Sequence, residues 1–218
     1  MINPKRNSNF DRQALLRYLA LGDSYTIGEG VASEESYPYQ LVRKLERCGL
    51  YFAEPWVVAK TGWTSGELID ALDFEQLKTK KFDLLTLLIG VNNQYRGQDI
   101  GGYEKDFKQL MDLGLSLVDG RSHRIAVISI PDWGVTEYGG ASGRVPGEIA
   151  GEIDAFNEIN KEIALKTSVN YLEITNQYRQ IGGLTENMAP DGLHPSGKIY
   201  EIWAETLSEL LFTHFYKK

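Results

Sequence analysis

The chain has one cysteine, three histidines and no apolar run of membrane-spanning length. With Cys48 alone no internal disulfide can form, which agrees with a reducing compartment. In R-K-L-E-R-C-G it reads as a small apolar residue near a helix C-terminus rather than a nucleophile. The basic N-terminus M-I-N-P-K-R-N-S-N-F-D-R is not followed by a signal-peptide core, because Leu15 to Leu21 is interrupted by Arg17 and runs into G-D-S. Nothing approaches the roughly 18 consecutive apolar residues of a bilayer span. These absences predict a soluble, cytoplasmic protein without stable membrane anchoring.

Basic charge is also scarce. The 23 Lys and Arg against 30 Asp and Glu leave a net charge of −7, which argues against a nucleic-acid partner because phosphate backbones are bound by clustered cations. No serine stands in a G-x-S-x-G elbow. No His, Cys and carboxylate group has metal-ligand spacing, so no metal is expected. Two near-motifs fail on one residue each. Gly28 to Ser33, G-E-G-V-A-S, lacks the third glycine of a dinucleotide fingerprint, and G-L-H-P-S-G-K-I carries Ile199 where a P-loop needs Ser or Thr. No nucleotide cofactor is expected.

What is present is a regular alternation. At 218 residues and 42% hydrophobic content the chain can bury a full core, and no linker or repeat divides it, so one domain over 1–218 is expected. Short apolar runs at Leu16–Leu21, Pro55–Ala59, Asp83–Ile89, Arg124–Ile130 and Asn170–Ile174 read as strands. Amphipathic stretches separate or follow them: Tyr37–Cys48, Thr64–Gln76 with the capping-box pattern Thr64-x-x-Glu67, Tyr103–Val118, Gly147–Lys166 and Ser196–Tyr216. Five strands alternating with helices predict an α/β fold with a parallel sheet covered on both faces. Pro131 to Pro146, glycine-rich with two aromatics and no apolar period, reads as a loop of the length that often covers a site.

Open α/β sheets place their chemistry at the C-terminal strand ends. The first strand delivers Ser24 in G-D-S-Y-T, the second Gly62 in K-T-G-W-T, the third Asn92 in G-V-N-N, the fourth Asp132 and Trp133, and D-G-L-H-P brings Asp191 and His194 before the last helix. A serine hydroxyl becomes a nucleophile when a base within hydrogen-bond reach takes its proton, and imidazole is the usual base. His123 lies before a strand, at the opposite edge, and His214 lies near the C-terminus, so each reads as a surface or packing residue. His194 is expected at the active edge, with Asp191 able to accept its Nδ1 proton and leave Nε2 for Ser24. The alternative for D-G-L-H-P-S-G is a polar turn that caps the last helix. The backbone N–H groups of Ser24 and Gly62 and the amide of Asn92 are candidate oxyanion donors; Gly62 and Asn92 read equally as plain turn residues. Trp63, Tyr95, Trp133 and Tyr138 are candidate aromatic walls for substrate.

Taken together, G-D-S-Y-T, the glycine of K-T-G-W-T, G-V-N-N and D-G-L-H-P resemble, in order and across nearly the whole chain, the four blocks of the SGNH hydrolases, the GDSL-type esterase and lipase superfamily. The resemblance maps the four family letters to Ser24, Gly62, Asn92 and His194, and the triad acid to Asp191. It implies a flavodoxin-like three-layer α/β/α sandwich on a five-stranded parallel sheet, and metal-free ester hydrolysis through an acyl-enzyme with no cofactor. Two letters depart from the common pattern. Tyr25 stands where many members have Leu and is expected to be a packing difference. Asn93 stands where Asp is commoner and is expected in loop bracing or substrate contact. The expected partner is a small-molecule ester, either of a small or short-chain acid, O-acetylated carbohydrate included, or a lysophospholipid or thioester on the same triad. A flavodoxin-like module that binds a nucleotide or partner without ester chemistry is the alternative of another class.

Overall fold

The computed structural model describes residues 15–72, 77 and 79–216. In chain order these form β1 (Tyr18–Gly22), α1 (Ser24–Ile27), α2 (Tyr37–Arg47), β2 (Trp56–Ala59), α3 (Ser65–Ala71), β3 (Leu84–Leu88), α4 (Val91–Tyr95), α5 (Ile100–Leu117), β4 (Ile125–Ile128), α6 (Glu137–Ala141), α7 (Pro146–Lys166), β5 (Asn170–Leu172), α8 (Thr175–Ile181) and α9 (Gly197–Tyr216). The five strands are all parallel in the order β2-β1-β3-β4-β5. Helices α2 and α9 pack together on one face, and α5 packs against both α3 and α7 on the other.

The strands form where apolar residues run without alternation. Every residue of β1, β3 and β4 is buried, as expected of a parallel sheet covered on both sides, whereas the edge strand β2 is partly open. Chain order and sheet order disagree at one place: β1 pairs with β2 on one side and β3 on the other. The crevice outside the ends of β1 and β3 is therefore the switch point at which such sheets bind ligands. Gly22 lets those two ends close. A Cβ there would lie 2.1 Å from Thr26 Oγ1 and 2.3 Å from the Leu88 carbonyl oxygen, so any other residue would pry β1 from β3.

Each of the five expected strands and five expected helices appears, with shifted ends. Helix α5 begins at Ile100 rather than Tyr103, because the Asp99 carboxylate caps it by accepting the Gly102 N–H at 2.8 Å and outweighs two poor helix formers. Helix α7 begins on Pro146, the residue suited to a first helical position. The Thr64 capping box closes as its pattern predicts, with Thr64 N–H to Glu67 Oε2 at 2.8 Å and Glu67 N–H to Thr64 Oγ1 at 3.3 Å. Its helix, expected to reach Gln76, ends at Ala71; residues 73–76 lie outside the described residues. The segment Pro131 to Pro146 is not a plain loop. A short 3-10 turn, Trp133–Val135, and helix α6 occupy it, capped respectively by Asp132 and Thr136. No helix among the described residues is long and apolar enough to cross a membrane.

Candidate active site

Ser24 opens helix α1 directly after β1. Asp23 caps that helix, its Oδ1 accepting the Tyr25 N–H at 3.0 Å, and this sharp strand-to-helix turn places the serine at the switch point. Ser24 Oγ lies 2.9 Å from His194 Nε2, and His194 Nδ1 lies 2.6 Å from Asp191 Oδ2. These residues come from opposite ends of the chain. The Asp191 carboxylate also organises the turn that carries the histidine, since its Oδ1 accepts the N–H groups of Leu193 and His194 at 2.9 Å each. Burial pushes the Asp191 carboxyl up, but the hydrogen bonds from the His194 ring and from the His194 and Leu193 amides outweigh it, so it stays below the ordinary carboxylate value. The turn both precedes α9 and delivers the imidazole.

His194 is buried, and the Tyr25 ring packs 5.3 Å from its own at 58°. Tyr25 is thus a packing residue, and its contact is with the imidazole itself. His123 and His214 sit elsewhere, paired ring to ring at 5.9 Å. Cys48 is the exposed cap residue at the end of α2, at the helix C-terminus where the sequence places it.

Ser24, Gly62 and Asn92 line one cavity of about 150 Å³ with Tyr25, Thr61, Val91, Tyr95, Trp133, Tyr138, Leu193 and His194. Gly62 has φ +84° in a turn closed by Trp63 N–H to the Lys60 carbonyl at 3.2 Å, a conformation that a Cβ would strain. Among the described residues no acceptor takes the N–H of Ser24 or of Gly62. Asn92 spends one amide hydrogen on the Trp63 carbonyl at 2.9 Å, which anchors the side chain and leaves the second for the cavity. Three residues that line the cavity, Ser24, Gly62 and Asn92, thus each have an N–H with no acceptor among the described residues, groups of the kind that can hold negative charge growing on an attacked carbonyl.

Two expected substrate contacts are corrected. Asn93 is 1% exposed and faces away from the cavity. Its Oδ1 accepts the Ser65 N–H at 2.9 Å, and its Nδ2 donates to Ser65 Oγ at 2.8 Å and Gln98 Oε1 at 2.9 Å, so it braces α4 against α3. The amide has a reason to stand where the family commonly has an acid: Ser65 Oγ already donates to Asp106 Oδ2 at 2.8 Å and needs a donor in return. Trp63 lies outside the cavity lining, its ring packed on the core, because the turn that exposes Gly62 points the next side chain away.

The other three aromatics do line the cavity. Tyr95 and Tyr138 join hydroxyl to hydroxyl at 2.6 Å across it, and Tyr95 stands edge-on to Trp133 at 5.3 Å. Tyr138 also donates its N–H to the Gly192 carbonyl at 2.9 Å, so α6 spans from the histidine turn to α4. Trp133 is itself buried, its indole N–H donated to Gln94 Oε1 at 2.8 Å. Thr61, Val91 and Leu193 carried no sequence signal, since small apolar and hydroxyl residues beside a motif look like ordinary loop or core. Among the described residues no group of three or more His, Cys, Asp and Glu is placed to hold a metal ion.

One group beside the nucleophile is anomalous. Asp23 is fully buried, its Oδ2 has no hydrogen-bond partner among the described residues, and burial pushes its carboxyl up to about 7 against hydrogen bonds that lower it.

A parallel five-stranded sheet between helical layers, with this site outside the ends of β1 and β3, is the architecture of the GDSL hydrolases. Over residues 20–202 the chain matches the GDSL-like lipase/acylhydrolase family, and it belongs to that family. It is an esterase or acylhydrolase of the SGNH serine hydrolases. Similar folds include the psychrotrophic esterase EstA from Pseudoalteromonas sp., 18% identical with a TM-score of 0.67 over 93% of this chain and 100% of that one. The lipase/acylhydrolase from Enterococcus faecalis is 17% identical with a TM-score of 0.67 over 92% and 95%. Axe2, an acetyl-xylooligosaccharide esterase from Geobacillus stearothermophilus, is 21% identical with a TM-score of 0.66 over 90% and 94%. No curated protein matches the chain by sequence.

Proposed function

We propose that this protein hydrolyses esters of small carboxylic acids through an acyl-enzyme on Ser24. The observation that carries the reading is the hydrogen-bonded chain from Ser24 Oγ through His194 to Asp191, opening into a cavity of about 150 Å³. His194 Nε2 takes the hydroxyl proton as Oγ bonds to the ester carbon, and the carbonyl electrons move onto oxygen. The N–H groups of Ser24 and Gly62 and the amide of Asn92 receive that oxyanion. When the tetrahedral carbon collapses, the C–O bond to the alcohol breaks, and the His194 imidazolium gives its proton to the departing oxygen. Water then loses a proton to His194 and attacks the acyl carbon; the acid leaves, and Ser24 recovers its hydrogen. Asp191, ionised throughout, keeps the Nδ1 proton in place and steadies the imidazolium.

Cavity size favours the smaller of the substrate classes. A space of about 150 Å³ is what a benzene-sized ligand fills. A space of that order supports acetyl and other short acyl groups over the long chain of a lysophospholipid. The aromatic mouth and the likeness to Axe2 support O-acetylated carbohydrate within the range.

The test is a panel of p-nitrophenyl esters of increasing chain length beside acetylated xylooligosaccharides, with fluorophosphonate labelling. Activity should be highest on the shortest acyl groups, the label should map to Ser24, and Ser24→Ala should abolish both. A rate that climbs toward long chains would transfer the protein to the lysophospholipase or thioesterase class. A label on another serine would overturn the site.

A further inference from the structure

The donor loop holding Gly62 has no strand or helix of its own. It is a turn, and a glycine with φ +84° can rotate its flanking peptides at little cost. An oxyanion donor is useful only if its N–H is held in place before the reaction. Something outside the turn must hold it.

Arg96 is the side chain that does so. Its Nη2 donates to the Gly62 carbonyl at 2.5 Å, and its Nη1 donates to both carboxylate oxygens of Glu67 at 3.2 and 3.3 Å. Glu67 is itself fixed, since it accepts the Thr64 N–H at 2.8 Å and the Thr64 hydroxyl at 3.0 Å. These bonds, led by the one from the Thr64 amide, keep the Glu67 carboxyl below its ordinary value and so ionised for the arginine. At the other end, the Arg96 backbone N–H donates to the Asn92 carbonyl at 3.1 Å and closes the short helix α4. One residue thus bonds the carbonyl on the far side of one donor's Cα, limiting the rotation of the turn that carries its N–H, and caps the helix of another.

We infer that Arg96 is a positioning residue of the oxyanion site, tying the Gly62 carbonyl, and through it the turn, to the Asn92 helix so that the two donors keep a fixed separation. The inference rests on the oxyanion roles proposed above. Arg96 does not line the cavity and touches no reacting atom. Its planar fork reaches the Gly62 carbonyl and Glu67 together with separate nitrogens, a fixed geometry that a lysine ammonium reproduces only in part. Both partners of the Arg96–Glu67 ion pair are over two-fifths exposed, so the pair itself contributes little to stability and its loss leaves no buried charge.

The experiment compares wild type, Arg96→Ala and Arg96→Lys on p-nitrophenyl acetate, with thermal melting and with the affinity of a short trifluoromethyl ketone, which adds to a serine as a tetrahedral oxyanion. Misplaced catalytic groups cost up to about 100-fold, so Arg96→Ala should lower kcat by about 10- to 100-fold with KM and melting temperature little changed. Ketone affinity should fall by the same factor, and Arg96→Lys or added guanidinium should restore part of both. Wild-type kcat in Arg96→Ala would overturn the inference. So would a loss that falls on KM and melting temperature while ketone affinity is unmoved, because that is what a merely structural residue gives. A wild-type enzyme that hydrolyses no ester and takes no label at Ser24 would instead overturn the proposed function.

Discussion

Asp23 offers a sharp test of the electrostatics beside the nucleophile. Its carboxyl is buried among Tyr25, Tyr37, Tyr103 and Tyr200, whose hydroxyls its charge pushes up, and none of the effects acting on it is an offsetting cation. One oxygen accepts the Tyr25 N–H and the other has no partner among the described residues, so the charged form is disfavoured and the ordinary value of 3.8 rises to about 7. Between those two values the folded protein binds a proton that the unfolded chain has released. Stability therefore falls as pH rises from about 4 to about 7 and is level on either side, the opposite sign to a carboxylate paired in the fold. At ~1.4 kcal/mol per pH unit the penalty reaches about 4 kcal/mol above pH 7. Asp23→Asn keeps the Oδ1 acceptor for Tyr25 and removes the ionisation. It should match wild type near pH 4 and exceed it by up to about 4 kcal/mol at pH 8, roughly 8–16 °C in melting temperature for a chain of this size. Urea unfolding of both proteins at several pH values, taken as a difference, isolates this group from all others. A difference that stays constant from pH 4 to 8, or a variant less stable than wild type at pH 8, would refute the reasoning.

Asn92→Ala should lower kcat by roughly 10²–10³ with KM little changed, because an oxyanion donor acts mainly in the transition state; steady-state kinetics reads the split. Asn93→Asp, which installs the commoner family letter, should cost about 1–3 kcal/mol in urea unfolding, because Ser65 Oγ loses a buried donor while still bound to Asp106. Its kcat should change less than that of Asn92→Ala. Tyr138→Ala opens the wall that Tyr138 makes with Tyr95 and should move the preferred ester to longer chains, checked by the ratio of kcat/KM for hexanoate to acetate. Tyr138→Phe, which loses the hydroxyl bond but keeps the ring, should shift that ratio less.

Local rules reach far in this chain because the sheet is simple. Uninterrupted apolar runs mark strands buried on both faces, and helices between them force parallel pairing, so the C-terminal strand ends must share one edge. That logic brings Ser24, Gly62 and Asn92 to a common crevice; Asp191 and His194, separated from β5 by α8, are placed there by their chemistry and by the resemblance, and the fold brings them to Ser24. The logic works because a strand end is a position along the backbone, legible from where an apolar run stops. Side-chain direction is another matter. Trp63 and Tyr95 are both aromatics just past a strand end, yet the turn at Gly62 sends one onto the core while helix α4 sends the other over the cavity. Asn92 and Asn93 are identical and adjacent, and one helical step of about 100° sends the first to the site and the second into a buried brace. The segment after β4 lacked an apolar period because two short capped turns, not a long amphipathic helix, order it. Arg96 had no motif to mark it, since its partners, the Gly62 carbonyl and Glu67, lie about 30 residues back and meet it only when β2 and β3 flank β1 in the folded sheet.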